Sequence, residues 1–165
     1  MEMASLSGEY TVKPITEADI PAVLRLQESN PLFFRHCPPP PTADAVREDM
    51  DALPPGKCPE DKYFAGFWQG DALVAVLDLV LGYPDSQTAF LGLLMLDAAY
   101  QGRGIGSRIL EGVLQSLKPS FSFVRLGYAK GNPQSERFWH KNGFSPTGSI
   151  TKAEAYDIIV MQRKL

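Results

Sequence analysis

Hydrophobic positions repeat every second residue in some stretches of the chain and every third or fourth in others, and the changes of period mark the elements. "EYTVKPI" alternates enough for a short strand ending near Pro14. "TEADIPAVLRLQES" takes helical spacing, with Thr16 or Asp19 as cap, Pro21 in the first turn, and Val23, Leu24 and Leu26 turned inward. "NPLFFRHCPPPP" breaks the pattern; its proline run suits neither a helix nor a central strand and reads as an extended surface segment. Thr42 caps a second predicted helix carrying Val46, Met50 and Leu53, which Pro54-Pro55-Gly56 stops. "YFAGFWQGDALVAVLDLVLGY" reads as two strands around a Gly70-Asp71 turn, and "TAFLGLLML" as a third.

The helical period returns after "QGRGIG". Ile105, Ile109, Val113 and Leu117 form one apolar row, Leu110 and Leu114 a second beside it, and Arg108, Glu111 and Gln115 take the wet side. "FSFVRLGY" is the next strand. Asn132-Pro133 opens another helix, asparagine as cap and proline in the first helical position, and Gly143 ends it in the left-handed conformation glycine accepts. Phe144 onward and "AYDIIVMQRKL" supply two closing strands. The predicted fold class is mixed α/β: a mostly antiparallel central sheet with one parallel crossover pair flanking the glycine loop, and helices on both faces.

Length and composition narrow the classes. At 165 residues one domain, 1–165, is expected, with 44% hydrophobic and 21% charged residues as in ordinary globular proteins. Sixteen Lys and Arg against nineteen Asp and Glu leave a net charge of −3, which argues against a general binder of nucleic acid or anionic membrane. No apolar run approaches the roughly 20 residues of a membrane span, and "MEMASLSGEY" lacks the basic and apolar regions of a signal peptide. Cys37 and Cys58 lack metal-ligand spacing, so no metal is expected and reduced thiols in a cytoplasmic protein are.

Three glycines where a helix must begin are costly, about 1 kcal/mol each relative to alanine inside a helix. A helix N-terminus offers unpaired N–H groups and roughly half a positive charge, and glycines let an anion reach those donors, so the turn suits a phosphate; Arg103 adds a cation. The alternative is that the glycines only permit tight packing. A dinucleotide fingerprint fails because Ser107 stands at its third glycine and "SFSFVRL" lacks the acidic residue for a ribose. The lysine of a nucleoside-triphosphate loop is absent as well.

"LLMLDAAYQGRGIGSRILEGVL" resembles the acetyl-coenzyme A site of the GNAT superfamily of N-acetyltransferases, whose loop reads Gln/Arg-x-x-Gly-x-Gly/Ala. "GNPQSERFWHKNGF" is similar to that family's second signature, with Asn132 and Gly143-Phe144 in the matching places. The resemblance implies a cofactor half at about 88–144 and an acceptor-side loop and helices at about 15–60. It implies that Gln101, Gly102, Arg103, Gly104, Ile105, Gly106 and Ser107 hold the pyrophosphate of acetyl-coenzyme A, here a co-substrate. The pantetheine arm would run along Leu94 and Leu96 and touch Asn132, with the Leu96 N–H stabilising the oxyanion. The expected reaction is direct transfer of an acetyl group to a primary amine of a small molecule or peptide. A coenzyme A-binding regulatory module without catalysis is the alternative, and a homodimer is an assembly the resemblance allows.

The chain departs from the family at two places. Ala98 stands where many members have proline, and Trp139 stands where a tyrosine often protonates the leaving thiolate. An indole N–H donates a hydrogen bond without titrating usefully. Tyr128, at the end of the strand beside the thioester, is the replacement candidate, or else a packed core tyrosine. A base must deprotonate the amine, whose ordinary pKa lies near 10. Asp78, inside "LVAVLDLVL", serves if it faces the cleft and otherwise points to solvent; Asp97 is a second base candidate or a loop cap. His36 could line the acceptor pocket with Phe33, Phe34 and Arg35, or lie exposed on a loop; His140 is expected to face solvent and Phe138 to join the core.

Overall fold

The computed structural model describes residues 2–165. Seven strands form one sheet: β1 Thr11–Pro14, β2 Lys62–Gln69, β3 Ala72–Leu81, β4 Thr88–Leu96, β5 Phe123–Ala129, β6 Ser145–Lys152 and β7 Asp157–Lys164. Their order is β1-β2-β3-β4-β5-β7-β6. Every neighbouring pair is antiparallel except β4 and β5, which are parallel and joined by the crossover helix α4. The helices are α1 Ile20–Glu28, α2 Pro31–His36, α3 Ala43–Asp51, α4 Ile105–Leu117 and α5 Pro133–Lys141. The mixed class, the largely antiparallel sheet and the single parallel pair are those read from the sequence.

The two apolar rows of α4 are buried throughout its length and lie against Leu77, Leu79, Leu91, Val124 and Leu126 of the sheet. Trp139 and Phe144, at the end of α5, join this same core. A separate core on the α1 and α3 side gathers Ile20, Val23, Leu26 and Val46 against Phe64, Trp68, Val76 and Met95. The caps behave as their residue types suggest: Thr42 accepts from the Ala45 N–H at 3.1 Å and opens α3. None of the helices among the described residues is long and apolar enough to cross a membrane.

One element departs from the sequence reading. "PLFFRH", taken there as part of an extended segment, is the short helix α2, which ends before the prolines begin; His36 is its last residue. Pro31 in the first turn of α2 costs it nothing, since that N–H would be unpaired anyway.

Candidate active site

β4 and β5 pair only from Thr88–Leu91 to Phe123–Leu126, yet β4 continues to Leu96 and β5 to Ala129. Beyond Leu91 the two strands therefore part, while β4 stays bonded to β3 as far as Ala75 and Leu96. The Asp97 N–H donates to the Val74 carbonyl at 3.0 Å. In an antiparallel ladder successive residues turn their N–H and C=O alternately toward and away from the partner. Leu96 and Leu94 accordingly turn theirs away from β3 and into the gap. A cavity of about 810 Å³ occupies it, with Leu94, Leu96, Gly104, Ser107, Tyr128 and Trp139 in its lining.

The glycine loop closes one end of this cavity, and its glycines have different reasons to be there. Gly102 and Gly104 have φ of 75° and 73°, in the left-handed region that side chains disfavour, and no described residue other than glycine has a positive φ. Gly104 is the residue from which α4 starts. Space is not the issue at either position: a Cβ on Gly102 would meet nothing within 4 Å, and one on Gly104 only Arg108 Nη1 at 3.8 Å. Gly106 is the packing glycine, because a Cβ there would lie 3.2 Å from Phe138 Cε2 and 3.4 Å from Leu96 Cδ1. The loop thus leaves the first N–H groups of a 13-residue helix open to the cavity and seats that helix against β4 and α5. Ser107 and Ile105 line the cavity at this turn. Arg103 turns back onto its own loop: it donates to the Ala99 carbonyl and lies 5.7 Å over the Tyr100 ring.

Asn132 is buried and accepts from the N–H groups of Gln134 and Ser135 at 3.1 and 3.2 Å, so it caps α5. Trp139 is buried in an aromatic row, with ring centroids 4.9 Å from Phe138 and 5.4 Å from Phe144. Phe138, expected in the core, is only partly buried and also lines the cavity. Tyr128 is buried among the core residues and lines the cavity as well; burial and the neighbouring Glu136 raise its hydroxyl above the ordinary value, so it stays protonated. Asp97 caps its loop, accepting from the Ala99 N–H at 2.8 Å. His140 is exposed.

Asp78 does not point freely to solvent. It shares the α3-side face of β3 with Val76, and Lys62 Nζ lies 2.9 Å from Oδ1 and 3.1 Å from Oδ2 while also donating to the Ala52 carbonyl at 2.8 Å. The lysine side chain is 5% exposed and the aspartate 18%. Burial pushes the Asp78 carboxyl above the usual range, and Lys62 only partly offsets this. Opposite Asp78 the β3–β4 register slips at Gly92, where a Cβ would stand 2.8 Å from Asp78 Oδ2. The missing side chain of Gly92 is the space the carboxylate occupies, and Gly92 lines the cavity while Asp78, behind it, is not in the lining. Gly92→Ala is expected to lower stability by about 1–3 kcal/mol, the usual cost of overpacking, read as a drop in thermal midpoint.

Several lining residues went unnoticed in the sequence. Of the α2 residues expected at an acceptor pocket only Phe33 is in the lining, without Phe34, Arg35 or His36, whereas Cys37, not among them, lines it and sits near Tyr156 of the β6–β7 loop, whose hydroxyl it engages. Arg137 and Lys141 stand one turn apart on α5 and bring positive charge to the cavity wall, a spacing visible in the sequence once the helix is assigned. Asn30 also lines the cavity, bonded to Gln101, which is already among the expected loop residues.

The model of the acetyltransferase (GNAT) family matches residues 25–144, which include α2, the parting strands, the glycine loop and Asn132. The chain belongs to the GNAT family. Solved structures agree. An acetyltransferase from Thermus thermophilus superposes with a TM-score of 0.75 at 26% identity, covering 94% of this chain and 96% of that one. The PaiA N-acetyltransferase of Thermoplasma acidophilum, solved with coenzyme A, gives 0.67 at 17% identity, covering 95% and 99%. The ribosomal-protein-S18-alanine N-acetyltransferase of Escherichia coli gives 0.66 at 17%, covering 93% and 92%. No curated protein sequence matches this chain significantly.

Proposed function

We propose that this GNAT protein is an acyl-coenzyme A-dependent N-acyltransferase that moves an acetyl group to the primary amine of a small molecule or peptide by direct transfer. The observation that carries it is the parting of β4 from β5 beside a glycine loop that opens α4. The gap leaves strand N–H groups unpaired along β4 for an extended amide-bearing arm. The open N–H groups of α4, with its helix dipole, suit the two charges of a pyrophosphate.

In this arrangement the backbone from Gln101 to Ser107 holds the phosphates, the Arg103 side chain being turned onto Ala99 and Tyr100 rather than into the cavity, and Leu94 and Leu96 hold the arm. The Leu96 N–H faces the carbonyl oxygen, which becomes an oxyanion on attack; one such donor is worth about 10²–10³ in rate. Asp78 takes the proton of the attacking amine, directly or through water. Burial raises its pKa above the ordinary carboxylate range, which makes it a stronger base than an exposed carboxylate. Tyr128, protonated throughout this range, gives its proton to the leaving thiolate in place of the tyrosine that Trp139 replaces. Free thiols at Cys37 and Cys58 support a cytoplasmic location.

Trp139 also keeps a second reading open, a coenzyme A-binding module without catalysis. Release of free thiol from acetyl-coenzyme A in the presence of an amine panel decides between them: turnover with any amine supports the enzyme. Trp139→Phe is expected to leave the rate within a few fold, because the aromatic row with Phe138 and Phe144 persists. A collapse in rate with an intact fold would mean that the indole takes part in the chemistry.

A further inference from the structure

The dipeptide Asn-Pro starts a helix twice in this chain, and the two asparagines do different things. Asn132 spends its side-chain oxygen on the first N–H groups of α5. Asn30, in the same position before α2, makes no capping bond. Its side chain is instead turned into the molecule and fully engaged with distant groups. Nδ2 donates to the Leu26 carbonyl at 2.9 Å and to the Leu96 carbonyl at 2.8 Å, and Oδ1 accepts from Gln101 Nε2 at 2.7 Å. Asn30 is only 9% exposed.

The bond to Leu96 reaches the edge of β4 from which β5 has parted, while β3 still holds the opposite edge. The Leu96 carbonyl receives a second donor, Gln101 Nε2, at 3.0 Å, and Gln101 in turn accepts from Gln134 of α5 at 3.3 Å. Next to Asn30, Ser29 Oγ accepts from the Ala98 N–H at 3.0 Å. In an extended strand the C=O and N–H of one residue point the same way, so fixing the Leu96 carbonyl also fixes the direction of its N–H. The turn between α1 and α2 therefore holds the last residue of β4 in place of the missing neighbour strand, and ties it to the first residue of the glycine loop.

We propose that Asn30 is a positioning residue: it aims the Leu96 N–H at the reacting carbonyl and links the acceptor-side helices to the coenzyme loop. This role rests on the acyl-transfer reading above. Asn30 meets the phosphate-holding loop only at the Gln101 side chain and not at the N–H groups that open α4, so it acts on the chemical step and leaves coenzyme affinity nearly alone.

The test is Asn30→Asp, which keeps the size and an acceptor for Gln101 but places a carboxylate against the Leu26 and Leu96 carbonyls. With any amine that the unaltered protein acetylates, kcat is expected to fall about 10–100-fold, part of what losing an oxyanion donor costs. The dissociation constant for acetyl-coenzyme A, measured by calorimetry, should stay within about threefold, since the helix-terminus contacts are untouched. Asn30→Ser, which can still donate one hydrogen bond, should fall between the two and serves if the aspartate variant does not fold. Unchanged kcat in either folded variant overturns the inference, as does a loss confined to coenzyme affinity. Coenzyme binding without turnover of any amine by the unaltered protein defeats the acyl-transfer reading first, and this role with it.

Discussion

Gly104→Glu is expected to abolish acetyl-coenzyme A binding while leaving the protein folded. Two effects combine at this residue. Its φ of 73° is left-handed, a conformation that costs a residue with a Cβ about 1–2 kcal/mol. The added carboxylate would stand at the start of α4, at the proposed phosphate site, and it would claim the same N–H donors. Charge-assisted hydrogen bonds are worth about 1.5–3 kcal/mol each, so the loss of two weakens binding by roughly 10²–10⁴. Gly104→Ala separates the causes: it carries the conformational strain without the charge and should weaken binding far less. Calorimetry on both variants, with thermal melts to show that each is folded, gives the comparison. Retained affinity in the glutamate variant would place the phosphates elsewhere.

Asp78→Asn is expected to lower kcat by about 10²–10⁴, the range for losing a general base, with little change in coenzyme affinity. The pH dependence carries the finer test. Burial raises the Asp78 pKa, so the folded protein holds that proton more tightly than the unfolded chain does. Activity should therefore rise with pH through a value above the ordinary carboxylate range, and that limb should vanish in the variant. Stability runs the other way: the contribution of this group is present below its unfolded pKa and is lost as pH rises through the folded one. The substitution also leaves Lys62, 5% exposed, without its countercharge. Breaking a buried pair costs about 3–5 kcal/mol, softened here because the amide oxygen can still accept from the lysine. Rates are therefore compared at a temperature where both proteins are folded. A kcat within a few fold of the unaltered protein, with the acid limb intact, would remove Asp78 from the mechanism.

What the sequence made legible follows from the range of the interactions involved. The α4 rows, the Thr42 and Asn132 caps and the Gly143 stop are local, and each is written within one or two turns of chain. α2 escapes a local reading because "PLFFRH" is too short to show a period and runs straight into prolines. The face taken by Asp78 is hidden for another reason. β3 is buried on both sides over most of its length, so "LVAVLDLVL" shows no alternation from which to read a direction. The slip at Gly92 that makes room for the carboxylate depends on pairing between strands. The role of Asn30 lies furthest from local reading, since its contacts with Leu96 and Gln101 cross 66 and 71 positions. Its dipeptide looks the same as the one at Asn132; only the fold distinguishes a cap from a clamp.

The glycine motif shows both sides of this. Its position before a helix was enough to suggest an anion site, and the backbone angles at Gly102 and Gly104 give the physical reason for two of the glycines. The third, Gly106, is needed because Phe138 and Leu96 close in on it, which no local pattern could show.

The central claim is that this cleft transfers an acetyl group, and thiol release from acetyl-coenzyme A measures it most directly. Purified, folded protein mixed with acetyl-coenzyme A and a broad set of primary amines should release thiol faster than either component alone, in step with the appearance of an acetylated amine. Saturable binding of the coenzyme with no acetylated product from any amine would contradict that claim.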